Sequence, residues 1–338
     1  MQIRVVVCAL MLLVNINSSK AGSDPDEWFE LDALVADSRF HEYLKTPVRI
    51  DILVTDLGWA EGPVWIESQK SLLFSDVAAD TIYRWQEGNG LSEYLSPSGH
   101  EPDNGGNAWR GSNGLAIDNE GRLILAQQSA RRVARMEATI GHPKARFRVL
   151  ASHFETQRFN SPNDLVVASN GDIYFTDPPY GLSGFENSPD LELPFFGVFR
   201  LSVGQDPEVL ATSLSKPNGL ALSGDQSRLY VSNSEAGNPG IYLIELRADQ
   251  KPRAELLFDA RALAAVGTGS TDGMAMHRDQ ILFASVPGGL ALISEQGELI
   301  GTIHLGQVTN AAFDKCYCHL YLTTPNRLLR IKMNSGLP

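Results

Sequence analysis

Short apolar runs recur along this chain between clusters of Asn, Asp, Gly and Ser. One run appears six times: residues 72–76 (LLFSD), 123–127 (LILAQ), 173–177 (IYFTD), 229–233 (LYVSN), 281–285 (ILFAS) and 320–324 (LYLTT). The copies start roughly 40 to 56 residues apart, a period that marks one supersecondary unit repeated. A shorter apolar run and a polar turn precede the copies, as in LAID then NEGR, LVV then ASNGD, and LAL then SGDQSR. Such turns between short apolar runs predict hairpins. A third run follows each copy (IYRW, VARM, VFRL, IYLI, LALI, LLRI), and a fourth follows most (RVLASHF, PEVLATSL, AELLFDA, ELIGTIHL). Four antiparallel strands at this period describe a propeller blade. A β-sandwich also has many short strands, but no four-strand unit at a fixed period. The pattern therefore predicts an all-β, six-bladed β-propeller of four-stranded antiparallel blades.

The sixth unit reaches its third strand at residues 328–332 and then the sequence runs out. Upstream of the first unit lies an unassigned strand, residues 49–55 (RIDILVT). It precedes Trp59-Ala60-Glu61-Gly62 as the other fourth strands precede their next blade. The N-terminal strand is thus expected to close the last blade and remove the open sheet edges. A length of 338 residues allows one large domain or two ordinary ones; ring closure makes it one propeller over residues 46–338, with residues 22–45 as an extension lying against it.

Residues 1–21 (MQIRVVVCALMLLVNINSSKA) have a short basic start, a ten-residue apolar core and small residues at the end. This is the layout of a secretory signal peptide, and the apolar run is too short to span a bilayer. Cleavage near Ala21 and a periplasmic or secreted location are expected, with no membrane contact afterwards. Cys8 leaves with that segment. Cys316 and Cys318 remain, and two cysteines cannot scaffold a chain of this size. Their i, i+2 spacing puts both on one face of a strand. Inert thiols are the favoured reading and a strained disulfide the second. A metal on this pair alone has too few ligands.

Composition adds limits. The 30 Gly and 18 Pro match many tight turns, and a net charge of −12 argues against a nucleic-acid partner. A small molecule is the expected partner, bound by a monomer or a small homo-oligomer. The residues that enter each inner strand form a series: Glu61 (WAEGPVW), Asn113 (GSNGLAI), Asn163 (SPNDLVV), Asn218 (KPNGLAL), Asp272 (STDGMAM) and Asn310 (VTNAAF). A propeller gathers these positions at its central channel. One Asn or Asp beside Gly is ordinary turn chemistry. Six in register, with two carboxylates and no Lys or Arg, suit a hard cation: Ca2+ first, then Mg2+ or Mn2+. Zn2+ fits less well, because the series has no His or Cys.

EGPVW, SPNDL, YFTDPPYG, KPNGL and STDGM resemble the gluconolactonase / regucalcin (senescence marker protein) family of six-bladed propellers, over roughly residues 45–332. SPNDL followed by YFTDPPYG is most similar to bacterial gluconolactonases. The resemblance implies one divalent cation held by Glu61, Asn163, Asn218 and Asp272, with Asp272 also the catalytic acid/base and Glu61 mainly a ligand. It implies hydrolytic opening of a sugar lactone such as an aldonolactone. Around this centre Asn113, Arg110, Gln127 and Tyr180 are expected to contact substrate. Related gluconolactonases commonly carry a His in the stretch AQQSARR, where this chain has Gln128, which puts strict gluconolactone specificity in doubt. His100 and His277 are placed near the channel mouth. Phe195 and Phe196, in an insertion at residues 181–196, are read as a lid or as core. Two other readings stay open: an organophosphate or ester hydrolase on the same metal centre, and a non-catalytic ligand-binding propeller. No G-x-S-x-G elbow or H-E-x-x-H pair is present to support other hydrolase chemistry.

Overall fold

The computed structural model describes residues 16–18, 27–99, 110–247 and 251–334. Six antiparallel sheets stand in a ring, and the inner strands of neighbouring sheets pack side by side until the sixth meets the first. Blade one is built from Ala60–Ile66, Ser71–Asp76, Thr81–Gln86 and Gly90–Leu95. Blades two to five open with inner strands Leu115–Ile117, Leu165–Val167, Pro217–Leu222 and Met274–Met276. In blade six Asn310–Phe313, His319–Thr324 and Arg327–Lys332 are followed by the N-terminal Val48–Val54. The strand expected to close the ring does so.

The segment before it is more integrated than a surface extension. Glu27–Leu31 pairs with Val48–Val54 and Ile16–Ser18 pairs with Glu27–Leu31, so blade six has six strands. Ala33–Val35 pairs with the outer strand of blade five. One segment thus covers the outer edges of blades five and six, which keeps those edges from pairing with other chains. The rest of residues 1–21, read as a leader, lies outside the described residues. No described helix is long and apolar enough to cross a membrane.

Apolar clusters fill the seams between blades. One gathers Phe40, Ile50, Phe283, Leu292, Leu322 and Ile331 from the N-terminal segment and blades five and six. A second stacks Phe159, Phe175 and Phe199; of the two lid candidates, Phe195 packs at this cluster against Phe154 and Phe199, while Phe196 is half-buried. His277 is buried among Tyr43, Phe283, Phe313 and Tyr317, not at the channel mouth, because its turn lies at the opposite end of the blade-five hairpin from Asp272. His100 lies outside the described residues. Cys316 and Cys318 are joined in a disulfide, not left as thiols, because the chain between them turns.

The last residue of the repeated second strand has a structural task that the pattern did not reveal. Asp76 accepts hydrogen bonds from the Gly58 and Trp59 backbone N–H groups. Asp177 accepts from the N–H groups of Asn160 and Ser161 and from the Asn160 side chain. Asn233 accepts from the Lys216 N–H. Each clamps the loop that leads into the inner strand of its own blade, and so fixes the approach to Glu61, Asn163 and Asn218. Asp177→Ala leaves buried donors without acceptors and is expected to cost about 3 kcal/mol, read as a lower urea midpoint; an unchanged midpoint contradicts the clamp.

Candidate active site

The inner strands bring the loop residues together because almost nothing separates their starts. Gly62 has φ +53, and a Cβ there would lie 2.3 Å from the Asn113 carbonyl oxygen of the next blade. A Cβ at Gly219 would lie 2.4 Å from the Asp272 carbonyl. Only glycine lets one blade start touch the next at these points. Hydroxyls from the second strands lock the ring: Ser75 donates to the Asn113 carbonyl and Thr176 to the Asn218 carbonyl.

The result is a cavity of about 220 Å³ at the channel entrance. Glu61, Asn113, Asn163, Asn218 and Asp272 all line it, and all five are buried. Among the described residues its lining contains no Lys or Arg. Burial, then the neighbouring charge of Asp272, pushes the Glu61 carboxyl well above its ordinary range, while the Trp59 indole N–H holds it partly back. Burial, then the charge of Asp164, pushes Asp272 up likewise, opposed by a hydrogen bond from Asn218. Two buried carboxyls with no cationic side chain beside them are costly in ionised form.

Whether a cation suits this set is answered by two atoms. Asp272 Oδ1 and Asn113 Oδ1 are buried and have no hydrogen-bond partner. Asn113 Nδ2 donates to Gln128 Oε1 at 3.2 Å, which leaves its oxygen as the free end of the amide. Buried acceptors without donors, beside mutually repelling carboxyls, fit an oxygen-binding divalent cation.

Around this centre the expected contacts are partly rearranged. Tyr180 lines the cavity, its hydroxyl 2.5 Å from Ser234 Oγ, and burial raises its phenol above the ordinary range. Gln127 does not reach the cavity: fully buried, it donates to the Ser98 carbonyl and accepts from Arg132. Gln128, past the strand end, faces the cavity instead. Arg110 is exposed and outside the lining; its carbonyl accepts from Ser129. Asn310 turns away, its amide donating to Asp164 and its oxygen accepting from the Ala311 N–H.

Several lining residues had no periodic signal: Trp59, Val77, Phe185, Ser270 and Gln307. Trp59 and Ser270 stand two residues from Glu61 and Asp272, so the loop series itself pointed near them. Phe185 comes from the insertion at residues 181–196, which replaces the expected Phe195–Phe196 lid. Its ring meets Tyr180 edge-on at 6.3 Å, and Lys216 ties the adjacent Glu186 down at 3.6 Å. Phe185→Ala is expected to raise KM about 3- to 10-fold with kcat nearly unchanged, since it removes aromatic contact without touching the carboxyls; a fall in kcat alone contradicts this.

A further carboxyl lies behind the centre. Asp164 accepts from the Leu165 and Leu220 N–H groups and from Asn310, and it borders a second cavity of about 270 Å³ lined by Val64, Leu115, Val166 and Met274. Burial pushes Asp164 up to about 6 and Asp177 up to about 7. In both, the folded state binds a proton more tightly than the unfolded chain, so their contribution is complete below about pH 4 and is lost as pH climbs toward about 7. With chelator present, the melting temperature is expected to fall across that window, less steeply in Asp177→Asn; equal slopes contradict the assignment.

Comparison with known proteins agrees with this architecture. The model of the family described as SMP-30/Gluconolactonase/LRE-like region matches residues 59–326. A gluconolactonase of Zymomonas mobilis is 35% identical over 94% of this chain and 88% of its own length. The solved gluconolactonase of Xanthomonas campestris is 28% identical, covers 90% of this chain and 95% of its own, and superposes with a TM-score of 0.75. A calcium-binding regucalcin of Agrobacterium tumefaciens shares the fold at 14% identity and a TM-score of 0.62, over 83% of this chain and 94% of its own. With a family model covering most of its length, the chain belongs to the SMP-30/gluconolactonase/LRE-like family.

Proposed function

We propose that this protein opens a sugar lactone by hydrolysis at the cavity between Glu61 and Asp272, with a divalent cation held by Glu61, Asn163, Asn218 and Asp272. Lactone hydrolysis follows from kinship with gluconolactonases that cover nearly the whole chain. The observation that supports the cation is the orphaned Asp272 Oδ1 beside a second buried carboxyl. Ca2+ is the first candidate, because the donors are all oxygens; Mg2+ and Mn2+ come next and Zn2+ last. Asn113, with its own free oxygen, either joins this set or meets a substrate hydroxyl.

When bound, the cation supplies Lewis-acid polarisation of the lactone carbonyl. The side chains do the rest. Asp272 stands at the cavity wall: its Oδ1 would be the atom offered to the cation, and the other oxygen of the carboxylate would take a proton from attacking water. Trp59 holds Glu61 through Nε1–Oε1 at 3.1 Å, fixing which way that carboxyl faces. Trp59, Tyr180 and Phe185 give an apolar wall for the sugar ring, and Gln128, Ser270 and Gln307 give polar atoms for its hydroxyls. The leader read at residues 1–21 adds export to the proposal, and cleavage near Ala21 would take the outermost strand, Ile16–Ser18, from blade six. Proton release from a panel of sugar lactones and phosphotriesters tests the substrate class: lactones should turn over, and phosphotriester turnover alone would overturn the proposal.

A further inference from the structure

A second cluster of metal-ligating side chains lies in the blade-six hairpin, away from the channel. Asp314, Cys316 and Cys318 place a carboxylate oxygen and two sulfurs within 4.8 Å of one another. His319 Nδ1 is 2.8 Å from Asp314 Oδ2, and Cys316 Sγ is 3.4 Å from Asp314 Oδ1. The Cys318 and His319 backbone N–H groups also reach Asp314 Oδ1.

Turn chemistry accounts for the Asp but not for the sulfurs. In blade two Asp118 plays the same part, accepting from Glu120 and Arg122, with Gly121 at φ +75 completing the turn. Blade six instead runs Asp-Lys-Cys-Tyr-Cys-His, and Tyr317 takes the left-handed position at φ +58. Tyr317 is held there by His277, with ring centres 4.9 Å apart, and by Phe313. Cys316 is exposed and fills no core. The disulfide closes so short a loop that it restrains the unfolded chain little. Neither packing nor stability explains two cysteines in this turn.

We propose that Asp314, Cys316 and Cys318 form a redox-gated site for a thiophilic divalent cation, Zn2+ above all. Two thiolates and a carboxylate are three of the four ligands of a tetrahedral site, and the fourth position is left to water. His319 braces the carboxylate, as partners of ligating carboxylates commonly do. In the disulfide form the sulfurs are not available as thiolates. Opening it takes two electrons: two thiols supply them with two protons and end as a disulfide, or a phosphine supplies them while water gives both protons and its oxygen to form the phosphine oxide; either way the S–S bond breaks and both sulfurs become thiols. Cation binding then releases the two thiol protons to solvent.

Co2+ is the probe, because thiolate ligation gives a sulfur-to-cobalt charge-transfer band that the oxygen ligands of the channel cannot give. The full-length protein is reduced with a phosphine and titrated with Co2+, then with Zn2+. Expected results are a charge-transfer band saturating at one equivalent, its displacement by Zn2+, and no band in the oxidised protein or in Cys316→Ser/Cys318→Ser. Lactone turnover of that double variant is expected to match wild type. No band in the reduced protein, or the same band in the double variant, overturns the proposal. His319→Gln should weaken Co2+ binding about 10-fold or more; unchanged affinity removes the brace.

Discussion

Asp272→Asn is expected to lower kcat by about 10³-fold, within the range that a positioned base contributes, while leaving a folded protein that still binds a cation. The substitution keeps the shape of the side chain and removes its proton affinity. Glu61, Asn163 and Asn218 remain at the cavity wall, so three oxygen donors persist. Stability should hold or rise, because burying an amide is cheaper than burying a second carboxyl beside Glu61. Rate and melting temperature measured together decide the matter: lost rate with an intact melt supports the base, whereas wild-type turnover eliminates Asp272 from that role.

Cation binding should also stabilise the fold, and Glu61→Gln should abolish most of that gain. At a cation concentration 100 times Kd, linkage gives about 2.7 kcal/mol. For a chain of this length that is a rise of roughly 4 °C in melting temperature. The physical source is relief of repulsion between two buried carboxyls and satisfaction of the free Asp272 Oδ1. Thermal melts of both proteins, with chelator and with Ca2+, provide the check. A wild-type melt that ignores Ca2+, or a variant that gains as much as wild type, contradicts the ligand set.

The architecture was legible because its signal is periodic. Six copies of one strand, each with its turn, cannot be arranged many ways, and the unassigned strand before Trp59 supplied the closure. The loop series was legible for the same reason: Glu61, Asn113, Asn163, Asn218 and Asp272 hold one register position in five units and meet in one cavity. What escaped the sequence was set by tertiary detail. Gln127 and Gln128 are adjacent, and only the path of the chain beyond the strand decides which one faces the cavity. Phe185 sits in an irregular insertion with no period to place it. Asp76, Asp177 and Asn233 look like strand-end polar residues until the loops they clamp are seen. The N-terminal segment adds Glu27–Leu31 to blade six and Ala33–Val35 to blade five, and the second pairing joins residues far apart in sequence, which local pattern does not encode.

The central claim is that lactone opening depends on a divalent cation in the Glu61–Asp272 cavity. Its most direct test is proton release from gluconolactone by wild-type protein, measured above the uncatalysed rate, before exhaustive chelation, after it, and after Ca2+ is restored. The account predicts that chelation removes enzymatic proton release and that Ca2+ brings it back. Full activity in protein shown to be free of divalent metal would contradict it.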